Sequence, residues 1–89
     1  MMLLDTQDLL IFKHIADLYS ILRVTEKLDY VQSNVSQRMK ILEDELGARL
    51  LIRSNRGVRL TEEGTTLYKY AEDILKLMQD TKSAINKNN

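Results

Sequence analysis

The chain contains no proline and only three glycines, Gly47, Gly57 and Gly64. These are its only strong breaks. Everything before Gly47 must therefore be organised by hydrophobic period and by helix caps, which points to a mainly helical fold.

The first helix is expected from about Asp5 to Leu18, with Asp5 or Thr6 accepting its free backbone N–H groups. Leu9, Phe12, Ile15 and Ala16 form its inward stripe, and Lys13 and Asp17 face out. Ser20 caps a short second helix that buries Ile21, Val24 and Leu28, and Asp29–Tyr30–Val31 reads as a tight turn. The third helix covers about Gln32 to Leu46. Its core stripe is Val35, Met39, Leu42 and Leu46, with Ser33, Ser36, Gln37 and Lys40 on the far side. Gly47 ends it, because positive φ costs glycine little. Leu50–Arg53 and Val58–Leu60 are short β-like runs around the turn residues Ser54, Asn55, Arg56 and Gly57, and so predict a hairpin. Thr61 caps a last helix reaching about Asn86, with Glu62 and Glu63 in its first turn where the helix dipole favours acids.

That last helix is ~37 Å long at 1.5 Å per residue. Gly64, Leu67, Ala71, Ile74, Met78, Thr81 and Ile85 alternate in steps of three and four, the spacing that pairs helices. Tyr68, Leu75 and Leu77 widen the apolar face. A chain of 89 residues has too thin a core to cover such a helix, which argues for a homodimer through Leu67, Ala71, Ile74, Met78, Thr81 and Ile85.

Net charge is zero, but its distribution is uneven. Residues 32–60 carry six basic and three acidic side chains, and Arg49, Arg53, Arg56 and Arg59 fall within eleven residues that hold no acid. A local basic patch matters more to a phosphate backbone than the total does. On charge alone, a solvated arginine-rich loop fits equally well. Other chemistries find little support. There is no cysteine, so disulfides and thiolate metal sites are excluded. His14 is the only histidine and has no acid and nucleophile partners at a readable spacing. No catalytic, metal or cofactor site is expected, nor a phosphate-cradling glycine loop. No apolar run approaches the ~20 residues of a membrane span. The start, MMLLDTQDLL, lacks the basic and apolar regions of a signal peptide.

Three helices, a tight turn between the second and third, and a two-stranded hairpin make a winged helix-turn-helix, here at residues 1–60, followed by a long linker and dimerisation helix at 61–89. The outer face of the third helix bears Gln32, Ser33, Ser36, Gln37 and Lys40, side chains that can reach base edges in a major groove. Its only acids, Glu43, Asp44 and Glu45, lie at the far end. Double-stranded DNA is the expected partner. The competing reading is a dimerising module whose arginine-rich wing binds an acidic protein.

The segment YVQSNVSQRMKILEDELGARLLIR, residues 30–53, resembles the signature of LysR-type transcriptional regulators. The similarity extends to Leu9, Phe12, Ile15 and Ser20 on one side and to Arg56–Gly57–Val58–Arg59–Leu60–Thr61 and Gly64 on the other, about residues 5 to 85 in all. This resemblance implies a cytoplasmic homodimer, nucleoid-associated when bound, joined through antiparallel long helices. It implies that Gln32, Ser33, Ser36 and Gln37 read the major groove, that Arg56 lies at the adjacent minor groove, and that Arg53 and Thr61 hold the wing and contact the backbone. It also implies an effector-binding domain outside this chain, which alone would meet a small-molecule effector. Val24–Thr25 depart from the family's paired alanines, Val31 from a capping Ser or Thr, Ser33 from a proline, Gln37 from an arginine and Leu51 from a phenylalanine.

Overall fold

The computed structural model describes residues 4–86. The expected domain limits at residues 1–3 and 87–89, and the first residues of the stretch searched for a signal peptide, lie outside them. The elements run α1 (Thr6–Leu18), α2 (Ile21–Leu28), α3 (Gln32–Leu46), β1 (Leu51–Ser54), β2 (Gly57–Leu60) and α4 (Glu62–Ile85).

Local chemistry accounts for most boundaries. Asp5 caps α1 by accepting the Gln7 N–H at 2.8 Å, and Ser20 caps α2 by accepting the Arg23 N–H at 3.2 Å. Thr61 caps α4 by accepting the Gly64 N–H at 2.9 Å. Gly47 closes α3 in the left-handed region at φ 66, as the sequence predicts. The start of α3 differs: Val31 occupies the cap position and makes no side-chain cap hydrogen bond.

Among the described residues, two that are not glycine also adopt positive φ, Tyr19 at 56 and Asp29 at 59, each closing a helix. At Tyr19 this bend has a partner. Its carbonyl accepts the Val58 N–H at 3.1 Å, which ties the end of α1 to β2. Gly57, at φ 119, passes so close that an added Cβ would lie 2.6 Å from the same carbonyl oxygen. The wing is thus fastened to the body by backbone contact. Within it, Leu51 pairs with Leu60, Ile52 with Arg59, Arg53 with Val58 and Ser54 with Gly57.

The core gathers Leu9, Ile11, Phe12 and Ile15 of α1, Ile21 and Val24 of α2, and Val35, Met39 and Leu42 of α3. Leu50, Leu51 and Val58 close it from the wing, and Leu67 and Ala71 from α4. Two expectations are corrected here. Leu46 is 40% exposed, because α3 has by then run past the end of the core. The heptad seam of α4 is split. Gly64, Leu67 and Ala71 face the chain's own core, Ala71 with no exposed surface. Ile74 packs partly against that core, whereas Met78 and Ile85 are 49% and 76% exposed.

Candidate nucleic-acid interface

The reading helix is set by two clasps, one at each end. At its N-terminal half, Arg38 Nε donates to Asp8 Oδ1 at 2.6 Å, and its Nη2 lies 3.7 Å from Asp5. This hydrogen bond and the two carboxylates hold the Arg38 guanidinium still more firmly charged than usual, against the opposing effect of burial. Beside it, Gln7 donates from its amide nitrogen to the hydroxyl of Tyr30, in the turn before α3. The pitch of α3 is therefore fixed against the first turn of α1. At its C-terminal half, Glu43 Oε2 accepts the N–H groups of Leu50 at 2.7 Å and Leu51 at 3.1 Å. The Arg49 Nε lies 3.8 Å from the same oxygen. Glu43 thereby joins α3 to the first strand of the wing.

Sequence reasoning missed both clasps as parts of the site. Arg38 finds its partner thirty residues upstream. Glu43 uses backbone donors, for which no residue type gives a signal.

Between the clasps, α3 and β1 line an open groove. Ser36, Gln37, Lys40, Glu43 and Asp44 form one wall, and Arg49, Leu51 and Arg53 the other. The structure thus brings together Ser36, Gln37, Lys40 and Arg53 of the expected site, and adds Arg49. Gln32 and Ser33 lie beyond the groove, exposed on the first turn of α3, beside Val31, which is 62% exposed. Arg56 sits at the exposed tip of the hairpin, where its N–H donates to Ser54 Oγ at 3.2 Å. Arg53 crosses the groove and donates from Nη1 to Ser36 Oγ at 3.4 Å.

Thr61 serves the fold. Its hydroxyl proton goes to the Arg49 carbonyl at 2.5 Å and its N–H to the Leu50 carbonyl at 3.0 Å. A phosphate oxygen needs a donor, and both Thr61 donors are used within the chain.

A second polar cluster lies between α1 and α4. Lys13 Nζ donates to Asp17 Oδ2 at 2.8 Å, and the Tyr68 hydroxyl donates to Asp17 Oδ1 at 2.5 Å. Burial pushes the Asp17 carboxyl up, but these two hydrogen bonds outweigh it and leave the group below its ordinary value. The bond to Asp17 holds the Tyr68 phenol up at about 12. Burial lowers His14, and the Lys27 and Lys13 charges act in the same direction. Among the described residues no group of three or more His, Cys, Asp or Glu could hold a metal ion. None of the described helices is long and apolar enough to cross a membrane.

A short helix pair joined by a tight turn, a polar reading helix and an arginine-bearing hairpin define a winged helix-turn-helix protein. Residues 6–65 match the model of the bacterial regulatory helix-turn-helix proteins of the lysR family, and the chain belongs to that family. It is 40% identical over 81 residues to the HTH-type transcriptional regulator YofA of Bacillus subtilis, covering 91% of this chain and 28% of that protein. It is likewise 40% identical over 80 residues to CzcR of Bacillus thuringiensis, covering 90% of this chain and 27% of that one. The chain therefore spans little more than a quarter of these relatives. Among solved structures, a BenM_DBD/catB site 1 DNA complex superposes with a TM-score of 0.90 at 30% identity, over 94% of this chain and 93% of that one. A CbnR_DBD-DNA complex superposes with a TM-score of 0.89 at 27% identity, over 94% and 97%.

Proposed function

We propose that the chain is the DNA-binding part of a transcriptional regulator and that it recognises a specific duplex sequence as a homodimer. The observation that carries this reading is the juxtaposition of the exposed, acid-free first half of α3 with an arginine-bearing wing across one groove. Gln32, Ser33 and Gln37 present donors and acceptors of a length suited to base edges. Lys40, Arg49, Arg53 and Arg56 supply charge for phosphates, with Arg56 at the wing tip near the minor groove. The family membership and the DNA complexes formed by BenM_DBD and CbnR_DBD support the same reading.

The part of the chain before α4 forms the DNA-binding unit, and α4 (Glu62–Ile85) is the linker and dimerisation helix. Two copies join through the exposed end of α4, from Ile74 through Met78 and Thr81 to Ile85, in antiparallel fashion. The unit works without catalysis or cofactor, in the cytoplasm and on the nucleoid when bound. Any small-molecule effector is met by a separate domain of the full regulator.

Selection from random duplexes with the purified chain tests this. The expected product is one inverted repeat, bound with an affinity that falls steeply with salt. Enrichment of no sequence would overturn it.

A further inference from the structure

Ser36 and Arg53 belong to different elements and meet across the groove, Arg53 Nη1 donating to Ser36 Oγ at 3.4 Å. Side chains alternate along a strand, and the register pairs Arg53 with Val58 and Leu51 with Leu60. Arg53 therefore starts on the same face of the wing as the buried Leu51 and Val58. An arginine rooted there keeps its charge in water only by leaning out past the apolar body. It leans over α3, where Ser36 receives it. Arg38 and Arg49 both lie within 4.0 Å of a carboxylate, whereas no such ion pair forms at Arg53 among the described residues. Its charge meets no carboxylate and is exposed, and the side chain's one hydrogen bond among these residues goes to Ser36.

We propose that Ser36 is a positioning residue that aims Arg53 at a DNA phosphate, and that Ser36 does not read a base. This rests on the DNA-binding reading above. A guanidinium carries five N–H donors in a rigid fork, so one donated to Ser36 leaves enough for a two-point grip on a phosphate. Gln37 follows Ser36 in the chain and lines the same groove as Arg53. Wing and helix act as one unit through this contact, and base reading falls to Gln32, Ser33 and Gln37.

The test measures binding of wild type, Ser36→Ala, Ser36→Thr, Arg53→Ala and the Ser36→Ala/Arg53→Ala double variant. Each is titrated over a range of salt, on a selected duplex and on a random one of equal length. Ser36→Ala should weaken both duplexes by one common factor, about two- to tenfold for a lost hydrogen bond. It should flatten the salt slope and leave the selected sequence unchanged. Ser36→Thr keeps the oxygen and should recover most of the loss. The double variant should bind no worse than Arg53→Ala alone. A loss confined to the selected duplex, with one base position relaxed, would make Ser36 a reader of bases and overturn the inference. So would losses that multiply in the double variant. A wild type that binds neither duplex would overturn the DNA-binding reading itself, and this inference with it.

Discussion

The α-carbon of Gly64 lies against the carbonyl oxygen of Leu50, so close that a methyl group built there would sit 2.2 Å from it. That carbonyl also accepts the Thr61 N–H at 3.0 Å. The contact lets α4 begin directly against the entrance to the wing. Gly64→Ala should gain about 1 kcal/mol in helix propensity, yet it must displace this backbone. The expected outcome is a net loss of about 2 kcal/mol or more, of the size seen for overpacked sites. Urea unfolding followed by circular dichroism reads it directly. An alanine variant as stable as wild type would show that Leu50 can move freely.

The Arg38–Asp8 clasp predicts a different cost. Arg38→Met keeps the stem but strands a largely buried carboxylate, and should lose about 1–3 kcal/mol. Asp8→Asn in the same background should recover part of that loss, because the amide needs no counter-charge. A double-mutant cycle with no coupling between the two positions would dismiss the clasp.

Tyr68 predicts a titration. Four tyrosines are present, and its phenol is raised to about 12 by the bond to Asp17. Because the folded value lies above the ordinary 10.0, this stabilisation is complete below pH 10 and disappears as pH rises towards 12. Asp17 has the opposite sense: its folded value lies below 3.8, so its contribution is present above that pH and is lost on acidification through the folded value. Tyrosinate absorbance should show a late-ionising component that Tyr68→Phe removes. Wild-type and variant curves of the same shape would contradict this.

Most of the fold could be read from residue spacing. The limits of α3, the caps at Ser20 and Thr61 and the glycine stop at Gly47 are local events, and local chemistry reveals them. The α4 seam was misjudged because a step of three and four describes any apolar helical stripe. It does not say whether Leu67 and Ala71 meet the chain's own α1 or a second chain. Glu43, Arg38 and the Tyr19–Val58 contact stayed hidden for one common reason: each partner is a backbone group or lies far along the chain. In the candidate site, residue types on α3 pointed to its exposed polar face, where Gln32, Ser33, Gln37 and Lys40 stand. They could not show that Thr61 spends its donors inside the fold or that Ser36 meets Arg53.

The split seam changes how dimerisation is tested. Ile74 packs partly on the core, so a charge there would also disturb folding. Met78 is half exposed in the single chain and lies outside its core, which makes it the better probe of association. Met78→Asp should cost several kcal/mol of dimer stability by placing a charge in the seam, while leaving the monomer folded. Sedimentation at micromolar concentration should show a dimer for wild type and a monomer for the variant. A monomeric wild type would contradict the dimer.

The reading face itself is tested by comparing Gln32→Ala with Lys40→Ala on the selected duplex and on random DNA. Gln32 stands exposed on the first turn of α3, the part of such a helix that meets the bases. Its loss should cost about 1–3 kcal/mol on the selected duplex, much less on random DNA, and should relax one position in each half-site. Lys40→Ala should weaken both duplexes alike and flatten the salt slope by about one. Equal losses on both duplexes for Gln32→Ala would contradict the account, because Gln32 would then touch phosphate or support the fold.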